Sequence, residues 1–461
     1  MTPVVTQSRG GSVIARTTRL WLLVFLFLLI YDGSLRKWIL PGAEQLVFIA
    51  KDVLLLGLLI YALSQRHDKI NASIQPESKA LFTLYAWWVL LEVANINLPN
   101  ILVGIWGLKA HLLYASLIIL IPLTFSNLDD LLRRLARAYP WIVVPVCTLA
   151  FAQLTAGTDS VINRQVTGGA EMIAHFGVAG LVRVTGTFSY ISGMTAFVQL
   201  VAVLGIGLFL GGARSKSFLL GLGFSIAALP ATGSRSVIAV VVVSAVMMLF
   251  AAWGSRLTSA SVALRVIASI VVFGAISLQA QDAAWVALQE RSQSAGETKG
   301  DSERVFTAFT NAFDKFDAAG ILGFGSGATN NGAVGLVSNV RPFSWLPSDV
   351  EFEEESGRIV LELGIFGWFI SQAMRVAFFL WALNLVRKGR MRTVRLAAVI
   401  ALPTMALGMY QGSGVFATPI GATYYWFCVA LLSMAHYEHR QDRLQQRARR
   451  SASLQTAVGN K

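Results

Sequence analysis

The sequence predicts an all-α polytopic membrane protein with about 12 transmembrane helices and one long periplasmic loop. Of its 461 residues, 55% are hydrophobic and only 14% are charged, whereas soluble domains carry roughly 25% charged residues. The apolar residues form blocks close to the roughly 20 residues that a helix needs to cross a bilayer. Lysine and arginine are concentrated in alternate connections between these blocks, which is typical of a protein whose basic loops stay in the cytoplasm.

The apolar blocks predict twelve spans: 19–33, 44–64, 80–97, 102–124, 139–157, 188–211, 217–233, 236–253, 264–281, 357–386, 396–411 and 420–436. The resulting regions are a cytoplasmic N-terminus (1–18), nine transmembrane helices (19–281), a long periplasmic loop (282–356), three more transmembrane helices (357–436) and a basic cytoplasmic tail (437–461). The segment Asn127–Ala138 alternates leucines with charged residues, which predicts an amphipathic helix on the cytoplasmic surface.

This composition excludes a soluble enzyme, a DNA-binding domain and a secreted disulfide scaffold. The net charge of +13 comes from short basic loops, so we interpret it as a topology signal and expect no nucleic-acid partner. Cys147 and Cys428 lie inside apolar blocks and form no disulfide or metal-binding pattern. The glycine-rich stretch Gly323–Gly327 lacks the strand-to-helix context of a nucleotide-binding loop, which predicts a turn-rich loop instead.

Several arginines break the charge rule by lying on the predicted outward side. They are Arg164, Arg183, Arg235, Arg304, Arg341 and Arg358. Arg183 directly precedes a span, and Arg235 lies in a turn too short to reach far into water, so both are held near the membrane surface. A guanidinium group suits a phosphate or diphosphate ligand. The alternative is that each arginine caps a helix or pairs with a carboxylate.

A second candidate group lies at the end of the long loop and the start of the next span, where four glutamates and an arginine occur within eight residues. If a helix begins near Glu351, then Glu355, Arg358 and Glu362 share one face with it. Clustered carboxylates at a membrane boundary favour a raised pKa and hence a general base. The alternative is that these glutamates only balance the dipole of a helix N-terminus.

Four ionisable residues lie within or beside the early spans. Lys51 and Asp52 are interpreted as a structural pair, or as partners for the basic residues of the first outward loop. Lys109 and His111 are also intramembrane. His111 is chemically able to carry a proton, but one histidine and one lysine do not form a relay, so a structural role is favoured.

The chain resembles the bacterial O-antigen polymerase/ligase superfamily, specifically Wzy-type polymerases of exopolysaccharide pathways. The resemblance covers most of the chain and rests on ordered motifs. These are Gly33-Ser-Leu-Arg-Lys-Trp-Ile-Leu-Pro41, Phe48-Ile-Ala-Lys-Asp52, Arg183-x-x-Gly-Thr-Phe-Ser, Gly233-Ser-Arg235-Ser, Ser302-Glu-Arg304, Gly323-x-Gly325-x-Gly327, Glu353-x-Glu355-x-x-Arg358 and Leu361-Glu-Leu-Gly364-Ile-Phe-Gly367.

The resemblance implies a GT-C-like fold and a metal-independent glycosyltransferase without a cofactor. A nascent glycan would be transferred from polyprenyl diphosphate to a sugar hydroxyl of a new lipid-linked repeat unit. Glu355 is expected to act as the general base and Arg358 to orient it, although Glu353 and Glu354 remain alternatives for the base. The expected ligands of the diphosphate and sugars are Arg183, Arg235, Arg304 and Glu353. Arg235 is also expected to be catalytic, because it would stabilise the charge on the diphosphate leaving group.

The resemblance also implies a location in the bacterial inner membrane, with both termini cytoplasmic and a periplasmic active site. Expected partners are an undecaprenyl-diphosphate-linked oligosaccharide, a chain-length regulator, a flippase and export proteins. The alternatives are an O-antigen ligase acting on lipid A core, a transporter or flippase of lipid-linked glycan, and a non-catalytic scaffold. The ligase branch carries a histidine at the end of the long loop, where this chain has glutamates.

Overall fold

The computed structural model describes residues 9–64, 75–157, 159–164, 166, 175–176, 181–258, 261, 268, 310–337, 341–348, 354–410 and 418–459. Within them, the regular secondary structure is helical apart from one short pair of strands. The helices are α1 (Arg9–Ser34), α2 (Glu44–Ser64), α3 (Pro76–Glu92), α4 (Ile101–Leu112), α5 (Leu117–Thr124), α6 (Leu128–Thr155), α7 (Ile191–Leu210), α8 (Lys216–Ala231), α9 (Arg235–Gly254), α10 (Phe316–Ala319), α11 (Asn331–Val334), α12 (Glu355–Lys388), α13 (Arg392–Tyr410) and α14 (Pro419–Gly459).

Short elements connect some of these helices. A π-helical turn (Leu35–Ile39) extends α1, a 3-10 turn (Leu113–Ser116) joins α4 to α5, and a second 3-10 turn covers Val161–Asn163. Strands β1 (His175–Phe176) and β2 (Leu181–Val182) pair antiparallel, with His175 opposite Val182.

Eight helical segments of the described chain are long and apolar enough to cross a membrane. They are Arg16–Ile39, Glu44–Ser64, Ile101–Thr124, Leu128–Thr155, Ile191–Leu210, Ser236–Gly254, Glu355–Lys388 and Arg392–Tyr410. Each corresponds to a predicted span, which confirms a polytopic helical membrane protein. Three other predicted spans are helices that miss this standard, because α3 and α8 are short and the first part of α14 is rich in polar and aromatic residues. The predicted span 264–281 lies almost wholly outside the described residues.

The connections between helices gather at two ends of the bundle. The loop end contains residues 35–43, 93–100, 183–190 and 320–330, and the tail end contains residues 125–127, 211–215, 255–258 and 389–391. At the loop end, Ser34 N–H donates to Thr187 O at 2.9 Å. At the tail end, Leu128 N–H donates to the Glu438 carboxylate at 2.7 Å. In the predicted topology the loop end faces outward.

The amphipathic helix predicted at Asn127–Ala138 is present, but it does not end at Ala138. The structure has one continuous helix, α6, which Asn127 caps by accepting the Asp130 N–H at 2.8 Å. Leu128 and Leu131 are buried, so this first part packs against the bundle. Pro140 lies inside the helix, where a membrane protein tolerates it because neighbouring groups satisfy the freed backbone.

Candidate active site

The long helix α12 is interrupted at Gly364, and this break forms the base of the candidate site. Gly364 has φ 68° and ψ −179°, a conformation open to glycine and strained for other residues. Backbone groups around the break pair with the preceding loop. Ile365 N–H donates to Gly320 O at 3.0 Å, and Phe324 N–H donates to Leu361 O at 2.7 Å. The break in α12 therefore holds a segment of the loop within the helix bundle.

The segment Gly323–Gly327 forms one wall of the site. Gly323, Gly325 and Gly327 all have positive φ, as the predicted turn-rich loop requires, which confirms that interpretation. Helix α4 approaches this segment so closely that a Cβ on Gly107 would lie 2.2 Å from Gly327 N. Only glycine at this crossing allows the loop to pack directly against the helix backbone.

Glu362 lies buried just before the break, and both of its carboxylate oxygens are occupied. Oε2 accepts the Gly327 N–H at 3.0 Å and lies 2.7 Å from Nε2 of His111. Oε1 accepts the Thr329 N–H at 3.2 Å and the Thr329 hydroxyl at 2.5 Å. A carboxylate with four donors is fixed in position. Glu362 is therefore better suited to orient His111 than to exchange protons.

His111 links α3, α4 and α12 through its two ring nitrogens. Its Nδ1 lies 2.8 Å from the Tyr85 hydroxyl, and its Nε2 faces Glu362. Because an ionised carboxylate only accepts, Nε2 donates its proton to Glu362, while Nδ1 forms a hydrogen bond with the Tyr85 hydroxyl. The sequence favoured a structural role for His111 because one histidine and one lysine do not form a relay. It did not reveal Glu362 as a partner, because that residue lies 251 positions away.

Glu355 opens α12 and is only 5% exposed. Its Oε1 pairs with Arg375 at 2.5 Å, and Arg375 also donates to Gly408 O at 2.6 Å. Its Oε2 is buried and has no hydrogen-bond partner among the described residues. One oxygen is thus held while the other is available, an arrangement that suits a carboxylate accepting a proton.

A cavity of about 80 Å³ joins these groups, and we call it the Glu355 cavity. Its charged or titratable lining consists of His111, Glu355, Arg358, Glu362 and Arg375. Its aromatic lining consists of Tyr85, Tyr425 and Trp426. The space is sufficient for several water molecules or for one substrate hydroxyl group. Glu355, Arg358 and Glu362 do share one face of α12, as their spacing predicted.

The expected partnership between Arg358 and Glu355 is wrong. Arg358 Nε donates to the Thr329 hydroxyl at 3.1 Å, and its NH2 group donates to Thr329 O at 3.4 Å. Arg358 therefore steadies the segment that holds Glu362. The partner of Glu355 is Arg375, which sequence reasoning missed, although an arginine inside an apolar block was an available signal.

The structure describes the other predicted site residues only in part. Arg183 directly follows β2, is half-buried at the loop end, and does not line the Glu355 cavity. The backbone of Arg235 begins α9 at the same end. The side chain of Arg235 and all of Arg304 and Glu353 lie outside the described residues.

Two of the motifs behind the family resemblance lie against each other at the loop end. The buried Lys37 Nζ donates to the Thr185 hydroxyl at 2.7 Å and to Phe188 O at 2.6 Å. A Cβ on Gly33 would lie 2.2 Å from the Phe188 carbonyl carbon. The first outward loop thus supports the segment that follows Arg183.

Lys51 and Asp52 do not pair with each other as the sequence suggested. Lys51 pairs with Asp32 at 3.0 Å, and Asp52 pairs with Lys109 at 2.7 Å. Consecutive residues of a helix point in different directions, which is why each reaches a different neighbour. The two pairs tie α1, α2 and α4 together beside the Glu355 cavity.

These features define a helical membrane protein with a buried acid–base cavity at one end of its bundle. Among the described residues, no group of three or more histidine, cysteine, aspartate or glutamate side chains is arranged to hold a metal ion. No protein-family model matches this chain, and it has no significant match among curated proteins or solved structures.

Proposed function

We propose that this chain is a lipid-linked glycan polymerase of the Wzy type. The observation that carries the proposal is the Glu355 cavity, where a buried carboxylate has one oxygen held by Arg375 and one without a partner among the described residues. The ordered sequence motifs favour the same function. The membrane-spanning helices also favour a lipid-anchored substrate, because such a substrate can reach the site from within the bilayer.

The proposed step is a glycosyl transfer without a covalent enzyme intermediate. The acceptor sugar hydroxyl loses its proton to Glu355 as its oxygen bonds to the anomeric carbon of the nascent glycan. The bond from that carbon to the diphosphate oxygen breaks, and the electron pair leaves with the polyprenyl diphosphate. Arg375 keeps Glu355 in position for this transfer. Protonated Glu355 later returns its proton to water.

The charge that develops on the diphosphate needs positive groups, and the arginines of the loop end supply them in this proposal. Arg183, Arg235 and Arg304 keep the role implied by the resemblance, with Glu353 as a sugar ligand. Arg358 lines the Glu355 cavity and adds a positive charge near the reacting atoms. Fixed charges in a site of low dielectric stabilise a leaving group strongly, so the proposal needs no metal or other cofactor.

The proposed setting is the bacterial inner membrane, with twelve spans, both termini in the cytoplasm and the loop end in the periplasm. The proposed substrate is an undecaprenyl-diphosphate-linked oligosaccharide. The proposed partners are a chain-length regulator, a flippase that delivers the substrate, and export proteins.

One observation favours a second candidate, an O-antigen ligase acting on lipid A core. The ligase branch uses a histidine, and His111 brings one into the cavity from α4. The acceptor distinguishes the two functions. A polymerase extends glycan in cells that lack lipid A core acceptor, whereas a ligase transfers nothing there and the donor glycan stays on its lipid carrier.

Glycan profiles of complemented deletion strains test the proposal. Wild type should restore long polymer, whereas Glu355→Gln should leave single repeats, because loss of a general base slows transfer by about 10²–10⁴-fold. The matched control is Glu77→Gln, since Glu77 is exposed near the tail end of α3. Unchanged polymer in the deletion strain, or normal polymer from an expressed Glu355→Gln variant, would refute the assignment.

A further inference from the structure

A second cavity opens at the loop end, between α1, α2, α7 and the start of α14. Its volume is about 100 Å³, and its lining includes Arg36, Lys51, Phe48, Ser189 and Ser192. We infer that this second cavity binds the phosphate or diphosphate of a lipid headgroup. We call it the Arg36 cavity.

Three positive side chains converge on one aromatic ring beside the Arg36 cavity. The Arg36 guanidinium carbon lies 5.4 Å from the centre of the Phe48 ring, Lys51 Nζ lies 3.9 Å from it, and Lys109 Nζ lies 4.9 Å from it. Cations attract the face of an aromatic ring but repel each other. Such a cluster near a membrane boundary is stabilised further by an anion.

The described carboxylates compensate only part of this charge. Asp32 pairs with Lys51, and Asp52 pairs with Lys109. Arg36 forms no ion pair with a described carboxylate; it donates to the Ser189 hydroxyl at 2.8 Å, and its buried Nε has no hydrogen-bond partner among the described residues. The guanidinium therefore retains a donor for a ligand at the edge of the cavity.

Backbone N–H groups beside the Arg36 cavity also favour an anionic ligand. Helix α7 begins at Ile191 without a side-chain cap, and Ser192 and Gly193 in its first turn line the Arg36 cavity. The Gly193 N–H already donates to Tyr190 O at 3.1 Å, so Ser192 is the first-turn lining residue whose N–H we assign to the ligand. The N–H groups of a first helical turn lack partners within the helix and carry partial positive charge. Together with Arg36 and Lys51 they form a site suited to phosphate oxygens.

The Arg36 cavity also fits a lipid rather than only a small ion. The side chains of Leu29, Phe188 and Ile420 add apolar surface to its lining, and half-exposed Tyr190 stands at its edge. An apolar wall next to cations matches a headgroup joined to a hydrocarbon chain.

The Arg36 cavity lies near the Glu355 cavity, because the start of α14 contributes Pro419 and Ile420 to one and Ala422 to the other. A polymerase must hold two lipid-linked substrates at once. Assigning the Arg36 cavity to the diphosphate of the incoming acceptor lipid rests on the proposed function, but the anion site itself does not.

Binding assays on the full-length protein in phosphatidylcholine nanodiscs test the inference without measuring transfer. The probe is undecaprenyl diphosphate, with inorganic pyrophosphate as a soluble competitor. Arg36→Gln should weaken binding by about tenfold or more, because it removes a charge-assisted hydrogen bond. Asp32→Asn should bind at least as tightly as wild type, because it removes a negative charge beside Lys51.

The matched control is Arg214→Gln, which removes the same charge from an exposed arginine at the tail end. Equal binding by the Arg36→Gln and Arg214→Gln variants would overturn the inference, and so would equal weakening by Arg36→Gln and Asp32→Asn. Competition by pyrophosphate would assign recognition to the phosphate groups, and retained binding in its presence would assign it to the whole lipid. A protein that binds in this way but does not polymerise glycan would refute the proposed function alone.

Discussion

The two ends of the bundle differ in where their ion pairs lie, because the tail end has exposed pairs and the loop end has buried ones. At the tail end, Arg133 and Arg134 pair with aspartates one turn earlier on the exposed face of α6. At the loop end, the pair Glu355–Arg375 spans the break in α12, and His111–Glu362 joins two helices in the interior. Exposed local pairs contribute little to stability, whereas buried charges are costly unless they are fully partnered. The contrast indicates that the loop end retains charge for function.

The sharpest test of this contrast is removal of one partner of a buried pair. Arg375→Met leaves Glu355 as an unpaired buried charge, so we expect a loss of roughly 3–5 kcal/mol of stability. Thermal unfolding of the purified protein measures the loss. Glu355→Gln combined with Arg375→Met should recover most of the stability while remaining inactive. Arg134→Gln at the tail end should change stability by less than about 0.5 kcal/mol.

The close crossing of α4 and the Gly323–Gly327 segment gives the second prediction. Gly107→Ala would place a Cβ within 2.2 Å of Gly327 N, so we expect a loss of roughly 1–3 kcal/mol and a displaced Glu362. Gly57→Ala is the control, because open space surrounds that position in α2 and alanine favours a helix. Equal unfolding temperatures for the two variants would show that the loop does not pack as described.

The third prediction distinguishes residues that orient the side chains of the Glu355 cavity from the residue that accepts the proton. His111→Gln keeps a donor toward Glu362 but loses the ring contact with Tyr85, so we expect the rate of transfer to fall by about tenfold. Tyr85→Phe should lower the rate less, because it removes only the hydroxyl that bonds His111 on the side away from Glu362. Turnover by both variants at the wild-type rate would remove His111 from the site.

The smallest expected effect concerns pH at the tail end. Burial raises the pKa of Glu438, although the N–H of Leu128 donated to its carboxylate offsets part of the rise. A carboxyl whose folded pKa is raised contributes stability that is present at low pH and is lost as pH rises through the folded pKa. The unfolding temperature of Glu438→Gln should therefore decline less than that of wild type between about pH 4 and 7. Identical pH profiles would refute this prediction.

The sequence was informative where a property depends on local pattern. Apolar blocks located the eight helices of the described chain that are long and apolar enough to cross a membrane. Helical spacing placed Glu355, Arg358 and Glu362 on one face of α12. The partners of these residues were not predictable in the same way. Thr329 and His111 reach Glu362 from distant segments, and only tertiary packing brings them there.

Two expectations failed for a related reason. Adjacent Lys51 and Asp52 suggested a pair, but helix geometry sends them to Asp32 and Lys109. The nearby Arg358 suggested an orienting partner for Glu355, whereas Arg375 reaches it across the glycine break. A break in a helix changes which residues share a face, and the sequence pattern alone does not reveal that change.

The most direct measurement is in vitro polymerisation by purified protein in liposomes, using lipid-linked oligosaccharide isolated from the deletion strain. Wild type and Glu77→Gln should form glycan ladders, whereas folded Glu355→Gln should release no polyprenyl diphosphate and form no ladder. Ladder formation by Glu355→Gln at the wild-type rate would contradict the assignment of the Glu355 cavity as the catalytic site.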